Sequence, residues 1–251
     1  MIAAPPSSGD PSGSGWDESA GAWIVDMGEH GDFGRRHVLD PALLARLRGR
    51  DFRRALDVGC GEGRVCRMLS GLGIEAVGLD PTRALLDHAR RRDPQGRYVE
   101  GVGEALPFAD ASFDLVVSCL SLIDIADFAA AIREMTRVAT PGGVLLIANL
   151  NGFSTARTQP GEARPVGEKG IRIDRYLETR VHWEAWRGIR ILNWHRPLSA
   201  YMRAFLGEGL RLLHFDEPAP VGGEPRRVER YLAAPWYVVM EWEKPAVSRD
   251  R

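Results

Sequence analysis

A glycine-rich turn between a predicted strand and a predicted helix constrains this chain more than any other feature. Residues 55–58 (ALDV) form an apolar run typical of a buried strand, and residues 64–69 (RVCRML) have apolar side chains at helical spacing. Between them, Gly59, Gly61 and Gly63 alternate with other residues. Glycine lets the backbone approach a ligand closely and adopt positive φ. The stretch therefore predicts either a nucleotide-binding βα unit or a tight turn with no ligand.

The spacing of these glycines argues against a dinucleotide. Dinucleotide-binding turns have the pattern G-x-G-x-x-G, whose glycines bring a pyrophosphate to the helix N-terminus. This chain has G-x-G-x-G, and Arg64 stands where the last glycine would be needed. It also has no Tyr-x-x-x-Lys pair for hydride chemistry. A nicotinamide-dependent oxidoreductase is therefore an alternative that the motif does not favour.

Three blocks of sequence resemble the class I S-adenosylmethionine (SAM)-dependent methyltransferases, in the order that this family has them. Residues 57–63 (DVGCGEG) resemble its motif I. Residues 104–117 (EALPFADASFDLVV) and residues 134–151 (EMTRVATPGGVLLIANLN) resemble two later blocks. The resemblance is to the methyltransferase type 11-like branch and covers residues 30–150.

The resemblance implies that SAM is the cofactor and S-adenosylhomocysteine the product. The methyl group would move by in-line displacement to O, N or C of a small organic molecule. A domain that binds SAM without turnover is an alternative, suggested only by Val102, where the family usually has the acid that contacts adenine. By resemblance, the cofactor-binding residues are Arg36, Asp57, Gly59, Cys60, Gly61, Asp80, Pro81, Gly103, Glu104 and Ser118.

Asp80 also stands out by its position alone. Residues 74–80 (IEAVGLD) predict a second buried strand that ends in this acid. A carboxylate there can accept hydrogen bonds from both hydroxyls of a ribose. The alternative is that Asp80 caps the helix that follows.

Two residues are candidates for acid–base catalysis on the acceptor. His195 lies at a predicted strand-to-helix junction, and an imidazole ionises near neutral pH. Its alternative role is a structural histidine bonded to backbone. Asp124 is the ionisable side chain of the loop after the fourth strand, and its alternative role is to cap the helix predicted at residues 128–138. The candidate substrate-binding residues are Trp23, Asn151, Tyr176 and His182.

The order of strand and helix patterns predicts an α/β fold. We expect a Rossmann-like, seven-stranded, mostly parallel sheet with helices on both faces and an antiparallel last strand. Residues 151–196 are too long for an ordinary connection and predict a substrate lid with a hairpin, inserted after the fifth strand. The expected organisation is a disordered tail at residues 1–15 and one domain at 16–251, with the cofactor core at 30–150 and the rest of the sheet at 197–251.

Composition narrows the possible partners. The formal net charge of −1 offers no general attraction to nucleic acid or to an anionic membrane. The three cysteines show neither CxxC nor His/Cys spacing, so we expect no metal site and a reducing compartment. No signal-peptide pattern is visible, and two aspartates interrupt the apolar run at residues 115–132. The sequence predicts a soluble, cytoplasmic protein and leaves its oligomeric state open.

Overall fold

A seven-stranded sheet forms the centre of the computed structural model, which describes residues 11–157 and 172–246. The strands are β1 (Arg54–Val58), β2 (Glu75–Asp80), β3 (Arg97–Glu100), β4 (Phe113–Cys119), β5 (Ala139–Leu150), β6 (Arg180–Trp186), β7 (Ile189–His195), β8 (Arg211–Asp216) and β9 (Tyr237–Glu243). The order in the sheet is β3-β2-β1-β4-β5-β9-β8, and β6 pairs separately with β7. Strands β1 to β5 are parallel, whereas β9 is antiparallel to both β5 and β8. The predicted fold class is confirmed.

Helices cover both faces of this sheet. They are α1 (Trp16–Met27), α2 (Asp40–Leu47), α3 (Arg64–Ser70), α4 (Arg83–Arg92), α5 (Phe128–Val138), α6 (Gly152–Thr155), α7 (Leu198–Gly207) and α8 (Pro225–Leu232), with a 3₁₀ turn at Pro11–Ser14 and a π-helical turn at Arg35–Leu39. Among the described residues, none of the helices combines the length and apolarity needed to span a bilayer. Residues 1–10 of the predicted tail and 158–171 of the predicted lid lie outside the described residues.

The central strands bury side chains on both faces, because successive residues of a strand point to opposite sides. Leu115 and Val117 of β4 pack with α2 and α3, and Val116 packs with α5 and α7. A strand covered on both faces is expected to be a continuous apolar run, which is what the sequence has here. The helices thus occupy both faces and leave the carboxyl ends of the parallel strands for a ligand.

The antiparallel pair β6–β7 confirms the hairpin predicted within residues 151–196. Its two-residue turn, Arg187 and Gly188, has positive φ at both positions (43° and 82°), as a type I′ hairpin turn requires. Ser19 of α1 exchanges hydrogen bonds with both backbone groups of Arg190, at 3.0 and 2.9 Å. The backbone N–H of Trp194 donates to the carbonyl of Ile123 in the loop after β4 (2.8 Å). These bonds fasten α1 and the hairpin over the carboxyl end of β4.

Residues 141–143 (PGG), whose composition is typical of a turn, lie inside β5. Gly142 has φ of 77°, which other residues rarely adopt, and its N–H donates to the carbonyl of Lys244 (2.7 Å). The N–H of Lys244 donates to the carbonyl of Gly143 (2.9 Å). The bend is absorbed by the strand because the chain just beyond β9 pairs with it.

A buried carboxylate joins the sheet to α2. Glu241 of β9 is 1% exposed, and its side chain accepts hydrogen bonds from Arg46 (2.8 Å) and Arg50 (2.5 Å). Two guanidinium groups offset the cost of removing the carboxylate from water, so Glu241 fixes the position of α2 against the sheet.

Candidate active site

A cavity of about 350 Å³, here called the main cavity, opens at the carboxyl ends of β1, β2 and β4. Open parallel sheets bind their ligands at this place. Trp23 of α1 and Asn193 of β7 contribute to the wall that faces the strand ends. The predicted cofactor residues that line the main cavity are Asp57, Gly59, Cys60, Gly61, Asp80, Pro81, Gly103 and Glu104.

The glycine turn runs along the floor of the main cavity. The N–H groups of Gly59 and Cys60 both donate to the carbonyl of Leu79, at 2.7 and 3.0 Å. Gly59 has φ of 76°, and a Cβ on it would lie 2.2 Å from Cβ of Ser121. A side chain at this position is therefore excluded both by backbone conformation and by space.

Asp80 joins the glycine turn to the start of α4. Its carboxylate accepts from the N–H of Gly61 and the N–H of Thr82, each at 2.8 Å. The residue is 7% exposed, and burial raises the pKa of its carboxyl, while the two backbone N–H bonds oppose that shift. Each carboxylate oxygen keeps acceptor capacity toward the cavity. Asp80 does not cap α4, whose N-cap is Thr82 and has no side-chain cap hydrogen bond. It lines the main cavity, as the ribose role requires.

Asp57 has an unused acceptor at the wall of the main cavity. The residue is 1% exposed; one carboxylate oxygen accepts from the Cys66 thiol (3.6 Å), and the other has no hydrogen-bond partner among the described residues. Burial raises the pKa of the Asp57 carboxyl to about 7. A buried acceptor without a donor suits a cationic ligand group, and an α-ammonium group has this charge. The free acceptor on this side of the cavity therefore fits the ammonium group at the amino acid end of SAM.

The wall where adenine is expected offers apolar surface rather than an acid. Val102, Gly103 and Ile125 line this part of the cavity, and a Cβ on Gly103 would lie 2.9 Å from Cδ1 of Ile125. Glu104 also lines the cavity, and burial raises the pKa of its carboxyl. A planar base can stack between such surfaces and bond to backbone groups, so Val102 does not by itself prevent adenine binding.

Asp124 lies in the main cavity at the meeting point of three separate segments. One carboxylate oxygen accepts from the indole N–H of Trp16 (3.2 Å) and the other from the side-chain amide of Asn193 (2.5 Å). Burial raises the pKa of the Asp124 carboxyl to about 8. The residue is not the cap of α5, because Asp127 holds that position and accepts from the N–H of Ala130 (2.9 Å).

Arg35, rather than the predicted Arg36, lines the main cavity, as does Arg64 at the start of α3. Arg35 bonds to Asp32 (2.9 Å), and its guanidinium lies 4.8 Å from the ring centroid of Trp23. Arg36 does not line the main cavity and contributes to a neighbouring pocket. A sequence pattern cannot choose between adjacent arginines when the turn that carries them is π-helical, because its residues are not at the usual helical spacing.

Ser118 is another predicted cofactor residue that lies outside the wall. It is fully buried, and its hydroxyl bonds to that of Ser121 (2.6 Å), which in turn donates to the carbonyl of Val58 (2.7 Å). The wall of the main cavity begins one residue later, at Cys119.

His195 is not placed to act on an acceptor. It is fully buried away from the main cavity, with Nδ1 bonded to the Thr155 hydroxyl (2.7 Å) and Nε2 to the carbonyl of Tyr176 (2.8 Å). Burial also lowers the pKa of its imidazole. Both ring nitrogens are occupied, so we replace the proposed base role of His195 with a structural one.

Of the predicted substrate-binding residues, Trp23 lies on the wall of the main cavity and the other three do not. Asn151 caps α6 by accepting from the N–H of Phe153 (3.0 Å). Tyr176 accepts from the N–H of Leu198 (3.3 Å), and His182 lies 3.2 Å from the carboxylate of Glu184. These polar groups have partners within the protein.

Several wall residues were not anticipated individually. For those on α1 and in the hairpin, the signal was present as aromatic and apolar side chains, but no pattern selected among them. The others lie outside these elements. The additional residues at the main cavity include Trp16, Met27, Asp32, Arg35, Cys119, Trp186, Ile191, Asn193, Trp194 and Tyr237.

Comparison with known proteins agrees with this site. Residues 56–147 match the family described as "Methyltransferase domain". A malonyl-[acyl-carrier protein] O-methyltransferase of Enterobacter lignolyticus is 35% identical over 194 residues, which are 74% of this chain and 75% of that protein. A demethylmenaquinone methyltransferase of Beutenbergia cavernae is 36% identical over 122 residues, about half of each chain.

A solved structure extends the likeness to three dimensions. The S-adenosylmethionine-dependent methyltransferase from Mesorhizobium loti superposes with a TM-score of 0.70 and 26% identity, covering 81% of this chain and 96% of that one. The fold of this chain, its glycine turn and the acids around the main cavity agree with the family resemblance of the three sequence blocks. The chain therefore belongs to the class I SAM-dependent methyltransferases and uses S-adenosylmethionine as its cofactor.

Proposed function

We propose that this enzyme methylates an ionisable oxygen or nitrogen of a small organic molecule bound in the main cavity. The observation that carries the proposal is Asp124, a half-buried carboxyl that Trp16 and Asn193 hold at the cavity wall and whose pKa is raised to about 8. A base is useful when the attacking atom must lose a proton, and it works best with a pKa near the working pH. Bound SAM supplies an activated methyl group on a sulfonium, so the protein's tasks are to orient the acceptor and receive its proton.

Four residues would hold the cofactor in this proposal. Asp57 offers its unpartnered oxygen to the ammonium group, and Arg35 offers guanidinium N–H groups to the carboxylate. Asp80 would accept from the ribose hydroxyls while keeping its bonds to the glycine turn. Gly103 would approach adenine through its backbone. The role first given to Arg36 passes to Arg35, since Arg35 is the one on this wall.

The acceptor would lie against an aromatic wall. Trp16 and Trp23 meet edge to face with ring centroids 4.9 Å apart, and Trp186 lies 6.2 Å from Trp23. All three line the main cavity, together with Trp194. Such rings bind the apolar body of a small molecule. The aromatic wall supports an acceptor with an aromatic or aliphatic body.

Asp124 would be oriented by the donors that hold it. The indole of Trp16 and the amide of Asn193 each occupy one oxygen, so the carboxylate is fixed with its remaining lone pairs available to an acceptor proton. Proton acceptance by a positioned side chain contributes about 10²–10⁴-fold to the rate. The larger contribution comes from positioning the attacking atom against the methyl group.

A second candidate has support from the relatives. Several relatives are malonyl-[acyl-carrier protein] O-methyltransferases, at 30–36% identity. In that case the attacking atom would be the oxygen of an ionised carboxylate on a carrier-bound acyl group. A carboxylate needs no base at neutral pH. Asp124 would then have no proton to accept, which distinguishes the two candidates.

The wider arrangement belongs to the same proposal. Residues 151–196 would act as a substrate-specific insertion on a single domain, because the hairpin within them forms part of the cavity wall. The formal charge of −1 supports a small-molecule or protein-bound acceptor over nucleic acid. Free thiols at all three cysteines support a cytoplasmic location.

An acceptor panel tests the proposal directly. Purified enzyme is incubated with methyl-labelled SAM and with phenols, alcohols, amines, free carboxylates and malonyl-acyl-carrier protein. Methylation of a phenol, alcohol or amine, with the rate rising toward alkaline pH, is the expected result. Turnover confined to the carboxylates would replace the proposal with the second candidate. An Asp57→Asn variant, which loses a cofactor-binding charge, reports whether any turnover comes from this site.

A further inference from the structure

Two consecutive arginines begin the π-helical turn and face different spaces. Arg35 lines the main cavity, whereas Arg36 lines a neighbouring pocket with His30, Asp40 and Arg64, here called the side pocket. We infer that the side pocket binds an anionic group, a phosphate or a carboxylate, carried by the methyl acceptor. The inference rests on the proposed function, because it assumes that the acceptor's reactive end lies in the main cavity.

The two spaces share a wall. Asp40 and Arg64 line both of them, and the Arg64 guanidinium bonds to the Asp40 carboxylate. One ion pair therefore separates the proposed cofactor site from the side pocket. A ligand that passes this pair has one end at the main cavity and the other among the side-pocket arginines.

The balance of charge in the side pocket favours an anion. Arg64 is paired with Asp40, but the exposed guanidinium of Arg36 has no hydrogen-bond or ion-pair partner among the described residues. His30 adds a ring that can donate, with the exposed Glu29 carboxylate 3.8 Å away at the rim. A guanidinium offers a planar set of N–H donors that matches carboxylate and phosphate oxygens. The unpaired donors are those of Arg36.

The main cavity has the opposite character. Its wall carries seven acids, among them Asp57, Asp80 and Asp124, against two arginines. One of these arginines, Arg35, is already assigned to the cofactor carboxylate, so an anionic group of the acceptor is disfavoured near the cofactor turn. The side pocket is the neighbouring space in which two arginines face one aspartate. An acceptor with one anionic end would therefore place that end in the side pocket and its reactive end in the main cavity.

The loop before the π-helical turn is shaped around Arg64. Gly31 has φ of 77°, and a Cβ there would lie 3.1 Å from Cζ of Arg64. The two carbonyls of Gly28 and Glu29 accept from Arg92, at 3.4 and 3.2 Å, which fixes the loop beside α4. Arg64 is also the residue that replaces the last glycine of a dinucleotide motif. Its guanidinium, paired with Asp40, forms the boundary between the main cavity and the side pocket.

An NMR titration tests the inference with two simple anions. Isotope-labelled enzyme saturated with S-adenosylhomocysteine is titrated with inorganic phosphate or with acetate at constant ionic strength, following the guanidinium signals of Arg36 and Arg64 and the amides of residues 30–36. We expect saturable shifts of these signals and an affinity at least about tenfold weaker in Arg36→Gln, as for loss of a charge-assisted bond. Arg133→Gln, at an exposed arginine of α5 on the other face of the sheet, should retain the wild-type affinity.

The outcomes separate the sources of the anion and the two proposals. Saturation by phosphate but not acetate assigns a phosphorylated acceptor, and saturation by acetate assigns a carboxylate. Shifts that do not saturate with either anion, or that persist unchanged in Arg36→Gln, overturn the inference. Because S-adenosylhomocysteine binding and methyl transfer are measured separately, the side pocket can fail while the proposed function stands.

Discussion

The indole N–H of Trp16 donates a 3.2 Å hydrogen bond to the carboxylate of Asp124, which lies 108 residues further along the chain. The bond joins the first turn of α1 to the loop after β4, and Asn193 of β7 holds the other carboxylate oxygen at 2.5 Å. Two elements outside the cofactor core, α1 and β7, therefore enclose the Asp124 carboxylate. Enclosure is what raises the pKa of Asp124 to about 8.

Replacing Trp16 by Phe should move the pH dependence of methyl transfer upward. The substitution keeps an aromatic ring against Trp23 but removes the donor that stabilises ionised Asp124, so the pKa of the carboxyl should rise. Loss of one bond to a charged group corresponds to an alkaline shift of about one pH unit in the kcat/KM profile. The matched control is Trp186→Phe. This tryptophan also lines the main cavity, but its indole N–H donates to Asp26 instead of Asp124. If both variants shift equally, the Trp16–Asp124 bond does not set this pKa.

Asp80→Asn should weaken cofactor binding. The amide has one oxygen for the N–H groups of Gly61 and Thr82 and loses the charge available to the ribose hydroxyls. Calorimetry with S-adenosylhomocysteine should show an affinity about 10- to 100-fold lower, as for a lost charge-assisted interaction. Asp87→Asn, at an exposed carboxylate of α4 paired with Arg90, should bind as the wild type does. An unchanged affinity of Asp80→Asn would remove the ribose role.

His195→Gln should affect stability and leave the chemistry of the acceptor in place. Glutamine cannot keep both bonds of the buried ring, to the Thr155 hydroxyl and the Tyr176 carbonyl, and leaving one buried group unpaired costs about 1–3 kcal/mol. Chemical denaturation measures the loss. The pH dependence of kcat should keep its wild-type shape in the folded variant. Loss of an ionisation from that profile would restore His195 as a base.

Glu241→Gln should lower the free energy of unfolding by about 3–5 kcal/mol, because two guanidinium groups then share a site without their buried counter-charge. Urea unfolding monitored by fluorescence provides the value. The control is Glu243→Gln on the same strand, whose partner Arg211 is largely exposed, so the loss should stay below about 1 kcal/mol. Equal losses would show that the contacts of Arg46 and Arg50 with Glu241 do not stabilise α2.

The sequence predicted those parts of the site that depend on local order. The glycine turn directly follows β1 and Asp80 is the last residue of β2, so both lie at the edge where the parallel strands end. Arg36 was assigned from the family resemblance, whereas Arg35 lines the main cavity, in a π-helical turn whose residues are not at the usual helical spacing. His195 was wrongly placed at the acceptor because its partners, Thr155 and Tyr176, lie 40 and 19 residues away. The hydrogen bonds of Asp124 could not be predicted from the sequence for the same reason, because neither donor is near it along the chain.

The kcat/KM profile of wild type and Asp124→Asn, measured from pH 6 to 10 with a phenol, alcohol or amine from the acceptor panel, tests the central claim most directly. The base must be ionised to accept a proton, so the wild-type rate should rise with pH and level off above about 8. The variant should lose that rise and fall by about 10²–10⁴-fold, while its affinity for S-adenosylhomocysteine stays within twofold. A variant that keeps the wild-type rate and pH dependence would contradict the assignment of Asp124 as the base.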